Sequence, residues 1–351
     1  MKKRISTAII GSGFQANNWA NALKNHKNYD LKKINSSNKE RGVKFAAEHN
    51  CQFEIDEYKI ANDKDIDLVV FSTSPDRQKK SIDFANKKKN LILEKPLSLD
   101  ENFNSQIYDT CKKNNIICGA GLNRHYDTFI PKIASLLEKY NWKCNLVDVK
   151  SFFKKTNELN NFSLAKKKIH GDLIISGLVH KFDQINAIFG KPKKLIAKEL
   201  NYDKNNILTQ SQVTVEYENN LIANFMFKND SKNLEGEEII FYCEEGIIHV
   251  NFNLETVNVI KNYLNKKISR SILSRFKAEI LQGRIFKFEK KKFLENFNFR
   301  VGGQKDILDA FYDAFYNKDV KNLVNIEHNF LSTKMAFTCY KSIQSEKWIS
   351  I

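Results

Sequence analysis

Short apolar runs alternate with longer stretches of helical periodicity through the first 140 residues. The runs predict buried strands, and the stretches between them predict amphipathic helices. We place the strands at residues 6–11, 31–35, 68–72, 90–93 and 116–121, and the helices at 14–26, 39–49, 77–88 and 101–114. Strands that alternate with helices at this spacing form βαβ units, so this half predicts an α/β fold with a doubly wound parallel sheet.

The pattern changes after Trp142, where strands begin to follow one another directly. We place these strands at residues 147–153, 213–217, 221–227, 238–243 and 246–252, one helix at 173–189, and closing helices at 306–316 and 325–342. Tight turns between consecutive strands indicate a mainly antiparallel sheet. We therefore predict two domains, residues 1–122 and an α+β domain with an open-faced sheet over residues 123–351, which ends in the closing helices within 306–342.

Composition limits the class of protein. The chain has 351 residues, 42% of them hydrophobic, which is enough to bury two cores. Because no stretch of about eighteen apolar residues occurs, we expect no transmembrane helix. The apolar run near the N-terminus stops at Gly11, too early for a signal peptide, so we predict a cytoplasmic location. The six cysteines are scattered, without metal-ligand spacing, so we predict neither disulfides nor a bound metal.

The net charge of +16 raises the question of a polyanionic partner. The lysines are spread along the whole chain and no nucleic-acid-binding motif is present, so we predict no nucleic acid and no membrane as partners. Residues 266–292 are basic, with apolar residues at helical spacing, and we expect a helix that packs on the protein's own sheet. A positive field still favours anionic ligands, including phosphorylated cofactors.

A glycine-rich turn follows the first predicted strand. Residues 11–16 read Gly-Ser-Gly-Phe-Gln-Ala and fit the pattern G-x-G-x-x-A. Gly11 permits the tight turn, Gly13 lets the backbone approach a pyrophosphate, and Ala16 keeps helix and strand close. The pyrophosphate would lie on the helix N-terminus at Phe14, where free N–H groups favour an anion. The turn therefore predicts a dinucleotide site, with an ordinary tight turn as the alternative.

The residues after the second strand bear on the choice of cofactor. An Asp or Glu often binds the ribose 2′-hydroxyl at this point of a dinucleotide fold. Here Ser36 and Ser37 follow the strand, and Arg41 lies one turn into the next helix. Two hydroxyls and a guanidinium could hold a 2′-phosphate, although Arg41 could instead be a solvated helix residue. We predict NAD or NADP as the cofactor, with NADP tolerated.

Two further motifs, together with the glycine turn, indicate a known protein family. The predicted strand at residues 90–93 is followed by Glu94-Lys95-Pro96, and Gly177, His180 and Asp183 lie on the predicted helix of the second half. Together with the glycine turn, these residues resemble the Gfo/Idh/MocA family, the glucose–fructose oxidoreductase and inositol dehydrogenase group. The resemblance covers nearly the whole chain and is densest through residue 190. It implies a Rossmann domain for the cofactor, followed by an α+β domain that binds substrate and forms oligomers.

The resemblance also implies a role for each matching residue. Lys95 would lie beside the reacting carbon, and His180 would face it from the second domain. Both side chains can exchange a proton with the substrate hydroxyl, as hydride transfer at an alcohol or ketone carbon requires. Thr73 and Glu94 would lie along the nicotinamide. The candidate substrate contacts are Asn123, Arg124, Tyr126 and Asp183. His125 and His170 have no implied role, and we expect them at the surface.

The sequence departs from the family pattern at several positions. The family often has an Asp four residues before its histidine, and Ser176 stands there instead. The proton route could therefore run through His180 alone, Lys95 alone, or Ser176 and water. Asp172, two turns before His180, could partly compensate. A downstream histidine of the family is replaced by Gln78.

These observations favour an NAD(P)-dependent oxidoreductase that acts on the secondary alcohol or ketone of a sugar or sugar derivative, including nucleotide sugars. A catalytically silent dinucleotide-binding sensor is one alternative, and Ser176 is its best support. An enzyme of the same fold that uses NAD for elimination is the other.

The second-domain sheet bears on oligomeric state. Ile222 and Met226 occupy the face that the helices would leave open. An apolar sheet face of this kind predicts a homodimer or homotetramer through that face. The alternative is that residues 266–292 fold over the face within one chain.

Overall fold

The computed structural model describes residues 3–154, 172–202, 208–231, 236–263 and 290–351. Its first sheet contains six strands: β1 Ile5–Ile10, β2 Tyr29–Asn35, β3 Gln52–Phe53, β4 Leu68–Phe71, β5 Asn90–Leu93 and β6 Cys118–Ala120. All neighbours pair in parallel, and the order across the sheet is β3-β2-β1-β4-β5-β6. The predicted doubly wound sheet is confirmed. The order reverses between β1 and β4, which opens a crevice at the carboxyl ends of these strands.

Six helices lie between these strands in sequence: α1 Phe14–Lys24, α2 Lys39–His49, α3 Glu57–Asn62, α4 Pro75–Gln78, α5 Ser81–Asn86 and α6 Glu101–Lys113. Successive side chains of β1 point to opposite faces of the sheet, and both faces are buried. Ile5 and Ile9 join one apolar cluster with Trp19, whereas Ala8 and Ile10 join another on the opposite face. The predicted helix at 77–88 is interrupted at residues 79–80 and forms α4 and α5 instead.

The second sheet contains nine strands: β7 Cys144–Lys154, β8 Pro192–Tyr202, β9 Leu208–Tyr217, β10 Ile222–Ser231, β11 Gly236–Cys243, β12 Gly246–Asn251, β13 Thr256–Tyr263, β14 Lys290–Asn298 and β15 Ile349–Ser350. Their order is β14-β13-β12-β11-β7-β10-β9-β8-β15. The β7–β10 pair is parallel, and the other neighbouring pairs are antiparallel. The mainly antiparallel sheet is therefore confirmed, although β8, β13, β14 and β15 were not predicted.

The remaining elements are a 3₁₀ turn Asn123–Tyr126, α7 Phe129–Tyr140, a π-helical turn Ile174–Leu178, α8 Val179–Phe189, α9 Gln304–Asn317 and α10 Ile326–Ser345. Helices cover one face of the second sheet, where Val213, Val215 and Phe225 are buried in a large apolar cluster. Residues 266–289 of the basic segment lie outside the described residues. The helix expected there is wrong at residues 290–292, which begin β14 because they pair with β13.

The chain returns to the first domain near its C-terminus. Ile307, Leu308 and Phe311 of α9 are fully buried in the cluster that contains Trp19 of α1. Met335 and Ala336 of α10 are buried in the core of the second domain. α9 thus packs on the first domain, although the prediction assigns it to the second domain, residues 123–351. The boundary after residue 122 therefore stays a prediction.

Some features are absent from the described ranges. No helix there is long and apolar enough to cross a membrane. No group of three or more His, Cys, Asp or Glu side chains in those ranges has the arrangement of a metal site. All six cysteines are free thiols.

One buried carboxylate links the 3₁₀ turn, α8 and the segment before α9, and its removal tests this packing. Asp127 is fully buried and accepts hydrogen bonds from Gly302 N at 2.8 Å, Gln184 Nε2 at 2.7 Å and Arg124 Nε at 3.0 Å. Asp127→Ala leaves three donors without an acceptor, so we expect a loss of about 3 kcal/mol in the free energy of unfolding. Urea denaturation measures this loss.

The control is Asp109→Ala, because Asp109 is exposed on α6. That change should alter the free energy of unfolding by less than about 0.5 kcal/mol. Equal stability of the two variants would contradict the role assigned to Asp127.

Candidate functional site

A cavity of about 760 Å³ opens at the carboxyl ends of β1, β2, β4 and β5, in the crevice where the strand order reverses. All of the predicted cofactor residues except Ala16 line it. Ser12, Gln15, Ser72, Arg77 and Ser176 line it as well. The structure thus brings the glycine turn, the residues after β2 and the Glu94-Lys95-Pro96 motif into one cleft.

The two glycines of the turn differ in what surrounds them. Gly11 has a φ of +125°, and a Cβ there would lie 2.1 Å from the Ser72 carbonyl oxygen. A side chain at Gly11 is therefore excluded by the fold itself. A Cβ at Gly13 would meet nothing within 4 Å. The absence of a side chain at Gly13 leaves open space in the cavity, which is room for a ligand.

The first turn of α1 is suited to an anion. Its N-cap is Gly13, no side chain caps it, and the first turn holds no acidic residue. The N–H groups at this end therefore remain available to a ligand, and the helix dipole favours a negative one. Phe14 is 78% exposed at the cavity mouth, whereas Ala16 is fully buried against the sheet.

A hydrogen-bonded chain fixes Arg41 beside this turn. Arg41 Nε donates to Ser12 Oγ at 2.9 Å, and Ser12 Oγ lies 2.6 Å from Ser36 Oγ. Both serines are buried, and Ser37 lines the cavity next to them. One hydrogen bond therefore places the guanidinium beside the cavity, although Arg41 is exposed, and its contact with the cofactor stays a prediction.

Glu94 is fixed by its surroundings. Trp19 Nε1 donates to Glu94 Oε1 at 2.7 Å. A Cβ at Gly121 would lie 2.8 Å from Glu94 Oε2, so the carboxylate occupies the space beside that glycine. Burial raises the pKa of Glu94. Nothing in the sequence indicated the pairing with Trp19, which lies 75 positions earlier.

A second cavity of about 300 Å³ adjoins the first. Asn123 of the 3₁₀ turn and His180 of α8 line it. Gln15, Glu94 and Lys95 line both cavities. These three residues therefore form the boundary across which a group bound in the larger cavity would meet a molecule in the smaller one.

Lys95 lies two residues after the end of β5, and hydrogen bonds hold both its side chain and the segment that carries it. Its Nζ donates to the Ser176 carbonyl at 2.9 Å, and burial lowers its pKa. The Lys95–Pro96 peptide is cis, and the Pro96 carbonyl accepts from the buried Gln78 Nε2 at 2.7 Å. Gln78, which replaces a histidine of the family pattern, thus anchors the segment that carries Lys95.

His180 faces the smaller cavity as a neutral imidazole. Burial and the positive charges of Lys95, Arg124 and Lys181 hold the pKa of His180 well below its usual value. Its Nδ1 is buried and has no hydrogen-bond partner among the residues that the structure describes. The ring can therefore interact with a bound molecule without first losing a proton.

A buried ion network lies behind His180. Arg124 Nε pairs with Asp127 at 3.0 Å, and Lys181 Nζ pairs with Glu237 Oε1 at 2.6 Å. Both cations also lie over the ring of Phe252, at 4.9 Å and 4.0 Å from its centre. Arg124 lines neither cavity, because this network holds its guanidinium. Its proposed contact with substrate stays a prediction that the geometry does not favour.

Two other candidate substrate contacts are also engaged elsewhere. The Tyr126 hydroxyl donates to the Asn322 carbonyl at 2.9 Å and accepts from Val324 N at 3.0 Å. Asp183 is buried and its Oδ2 lies 3.0 Å from His125 Nδ1. Of the four candidates, Asn123 lines the smaller cavity, and the other three line neither of these two cavities.

The surface position expected for His125 is wrong. Its side chain is 21% exposed, because it turns inward to the Asp183 carboxylate. Although burial opposes the charged ring, Asp183 raises the pKa of His125. His170 lies outside the described residues.

Asp172 does not replace the carboxylate that is missing at Ser176. Its Oδ1 accepts from Ile174 N at 2.9 Å and from the Tyr340 hydroxyl at 2.6 Å. The Ser176 hydroxyl donates to the Asp172 carbonyl, within its own helical turn. Neither side chain is therefore directed at Lys95.

A further cavity of about 690 Å³ lies at the opposite, amino-terminal edge of the first sheet. Lys3, Arg4, Lys33 and Asp63 line it, and Lys33 pairs with Asp63 at 2.7 Å. It contains neither the glycine turn nor a helix N-terminus with free N–H groups. The carboxyl-edge cleft is therefore the better candidate site.

Comparison with known families agrees with this geometry. The NAD-binding Rossmann fold of the Gfo/Idh/MocA oxidoreductase family matches residues 5–122, and the C-terminal alpha/beta domain of the same family matches residues 145–351. The chain belongs to the Gfo/Idh/MocA oxidoreductase family. The resemblance inferred from the motifs is thereby confirmed.

One curated relative is the uncharacterised oxidoreductase YrbE of Bacillus subtilis (strain 168), which is 24% identical over 193 residues. The match spans 54% of this chain and 55% of the relative, about half the length of each.

Solved structures share the whole fold at low identity. A putative NADPH-dependent oxidoreductase from Desulfitobacterium hafniense superposes with a TM-score of 0.81 at 14% identity, covering 100% of this chain and 98% of the other. The WlbA dehydrogenase from Bordetella pertussis, in complex with NADH and UDP-GlcNAcA, gives 0.81 at 11% identity, with 100% and 99% covered. Levoglucosan dehydrogenase, in complex with NADH and L-sorbose, gives 0.78 at 15% identity, with 100% and 99% covered. At these identities the similarity shows the fold.

Proposed function

We propose that this chain is an NAD(P)-dependent oxidoreductase that acts on a secondary alcohol or ketone of a sugar or sugar derivative, including nucleotide sugars. The observation that carries the proposal is the shared boundary of the two cavities. Glu94 and Lys95 line both, so a cofactor in the larger cavity and a substrate in the smaller one would meet beside Lys95. The structural neighbours with NADH and sugar-type ligands support the substrate class.

The residues of the larger cavity fit a dinucleotide. The open space at Gly13 and the uncapped start of α1 suit a pyrophosphate. Ser36, Ser37 and Arg41 would contact the adenosine ribose, and Thr73 and Glu94 would lie along the nicotinamide side. The nicotinamide supplies hydride acceptance and donation when bound. The chain's own residues orient the two reactants, and they hold the exchanging proton at Lys95 Nζ or the His180 ring.

The same experiments test the two alternative functions, a silent sensor and an elimination enzyme. A silent sensor would bind dinucleotide and turn over no sugar or nucleotide sugar. Lys95 lines both cavities, which argues against a silent sensor, because a sensor needs no titratable group there. An elimination enzyme would retain its cofactor and show no net change at the nicotinamide absorbance.

Cofactor binding is the first prediction. Gly13→Val should abolish binding of NADH and NADPH, because the side chain would occupy the space of the pyrophosphate. Titration by nicotinamide fluorescence measures the affinity. The thermal midpoint of the variant should stay near that of the wild type, since a Cβ there meets no protein atom within 4 Å. Undiminished binding would show that the site lies elsewhere.

The same titration tests the choice between the cofactors. Arg41→Ala should weaken NADPH by roughly 10–100-fold, the effect of losing a charge-assisted hydrogen bond to phosphate, and NADH by less. Arg41→Lys is the matched control and should recover part of the NADPH affinity, because it restores the charge without the planar fork. Tighter binding of NADH, unaffected by either change, would contradict the 2′-phosphate contact.

The second prediction concerns the chemistry. Lys95→Ala and His180→Ala should each lower turnover by roughly 10²–10⁴-fold, the usual contribution of an acid–base group. Cofactor affinity should change much less in His180→Ala, because His180 lines the smaller cavity and not the larger one. Turnover is followed at the nicotinamide absorbance with a panel of sugars and nucleotide sugars. If either variant turned over substrate at the wild-type rate while the chemical step is rate-limiting, the catalytic role of that residue would be wrong.

The lowered pKa of His180 sets the direction of its pH effect. A depressed pKa keeps the imidazole neutral as pH falls, until the pH reaches that pKa. Any loss of turnover that comes from protonation of His180 should therefore appear only below pH 6.5. A loss centred above pH 6.5 that disappears in His180→Gln would contradict this environment.

We also propose that two copies associate through the open face of the second sheet. Apolar side chains there alternate with charged ones and are only half-buried, among them Leu146, Ile222, Met226 and Ile240. The same face carries the pair Lys150–Glu238, 2.9 Å apart. A face with apolar residues around a few charges suits a self-complementary contact.

Light scattering tests this association. The wild type should exceed the monomer mass of 40.8 kDa at micromolar concentration. Met226→Glu should return it to that mass, because the added carboxylate would be buried against its symmetry mate. Leu254→Glu is the control, since Leu254 is 69% exposed in the turn after β12, and it should leave the mass unchanged. A monomeric wild type would refute the interface.

A further inference from the structure

Two cysteines of the second sheet lie directly opposite each other on neighbouring strands. Cys144 begins β7, and it pairs with Cys243 at the end of β11. The Glu244 backbone N–H donates to the Lys143 carbonyl at 3.1 Å, so the cysteines form a non-hydrogen-bonded pair of the antiparallel ladder. The Cα atoms of such a pair are about 4.5 Å apart, within the span of about 4.4–6.8 Å that a disulfide bridges. The backbone therefore has the spacing of a cross-strand disulfide.

A shift of one residue in the strand register creates this pairing. Tyr242 pairs with Leu146, and an unbroken register would bring Asn145 opposite the next residue of β11. The register shifts at this point, and Cys243 meets Cys144 instead. Because neighbouring residues of a strand point to opposite faces, the unbroken register would place the two thiols on opposite faces of the sheet. With the shift, both side chains pack against the apolar cluster on the helix-covered face.

The two thiols are in contact and are accessible to solvent. A hydrogen bond between the side chains of Cys144 and Cys243, together with burial, raises the pKa of Cys243. Both residues are partly exposed. A second pair of thiols in contact, Cys111 and Cys118 of the first domain, is only 2% and 4% exposed. Contact and access therefore coincide at the pair in the second sheet, whereas the pair in the first domain has contact alone.

We propose that Cys144 and Cys243 are a modification site, at which a small-molecule disulfide of the glutathione type converts the two thiols into a disulfide between β7 and β11. The Cys144 thiolate attacks a sulfur of the oxidant, forms a mixed disulfide and releases one small thiol. Cys243 then attacks the Cys144 sulfur and releases the second small thiol. The protein thiols are oxidised, the oxidant is reduced to two thiols, and the two protons pass from the cysteines to the released sulfurs.

The order of the two attacks follows from the contact between the thiols. A thiolate is the attacking species, and the raised pKa of Cys243 keeps that thiol protonated while Cys144 is free. The site is independent of the proposed function, because neither β7 nor β11 contributes a described residue to the lining of the two cavities.

The disulfide would close a covalent loop around residues 145–242, which include α8 and the strands β8 to β10. A cross-link restricts the unfolded chain, and this effect grows with the length of the loop that it closes. The oxidised protein should therefore unfold at a temperature several degrees higher than the reduced protein. Excess reduced thiol should reverse the shift, because both exchange steps are reversible.

The test is a titration of the full chain with oxidised glutathione at a fixed concentration of reduced glutathione. The samples are quenched with acid, free thiols are alkylated in denaturant, and tryptic peptides are analysed by mass spectrometry. Trypsin places the two cysteines on separate peptides, residues 144–150 and 233–261, so the disulfide appears as a cross-link between them. Cys111 and Cys118 are the internal control, and they should stay reduced because they are buried.

Cys144→Ser and Cys243→Ser are the matched variants, each of which leaves one thiol without its partner. Half-modification of the wild type should need at least about tenfold less oxidised glutathione than glutathionylation of either variant, because its second step is intramolecular. The rise in the thermal midpoint on oxidation should appear in the wild type and in neither variant.

Three results would overturn the inference. One is a wild type that carries mixed glutathione disulfides without the cross-linked peptide. Another is a cross-link that joins two chains, which a non-reducing gel detects as a doubled mass. The third is a fully cross-linked wild type that unfolds at the temperature of the reduced protein, because the native sheet would then not accommodate the bond without strain.

Discussion

The close approach of Gly11 to the Ser72 carbonyl is the constraint on which the site depends. These residues end β1 and begin the loop after β4, the two strands at which the sheet order reverses. Any side chain at Gly11 would force them apart, and the glycine turn would then leave the rim that carries Thr73 and Glu94. With the approach in place, the uncapped start of α1 and the end of β5 face the same cavity.

Most of the first domain was predictable because its signals are local. Strands buried on both faces, such as β5, appear as apolar runs, and a G-x-G-x-x-A turn needs its residues adjacent in sequence. The partners of those residues were not predictable, because they come together only through the fold. The bond of Trp19 to Glu94, the bond of Gln78 to the Pro96 carbonyl and the inward turn of His125 have no local signal. The strands β8 and β13 were missed for a related reason, since half-polar runs can belong to loops as readily as to an open-faced sheet.

Two cations of the second domain are held away from the cleft. Arg124 and Lys181 are neutralised by Asp127 and Glu237 and pack on one aromatic ring. Their positive charges nevertheless act on His180 and keep its ring neutral. Lys95, in turn, is held by a backbone carbonyl. The cleft therefore presents two basic groups whose pKa values are both lowered by burial, which favours the form that accepts a proton as a hydride leaves the same molecule.

The central claim is that a nicotinamide dinucleotide binds at the carboxyl edge of the first sheet. Hydrogen–deuterium exchange of the wild-type chain, with and without saturating NADPH, tests it most directly. The account predicts slower exchange at residues 11–17 and 94–97, and unchanged exchange at residues 3–6 and 63–66 around the cavity at the opposite edge. Protection at that opposite edge, or at neither edge, would contradict it.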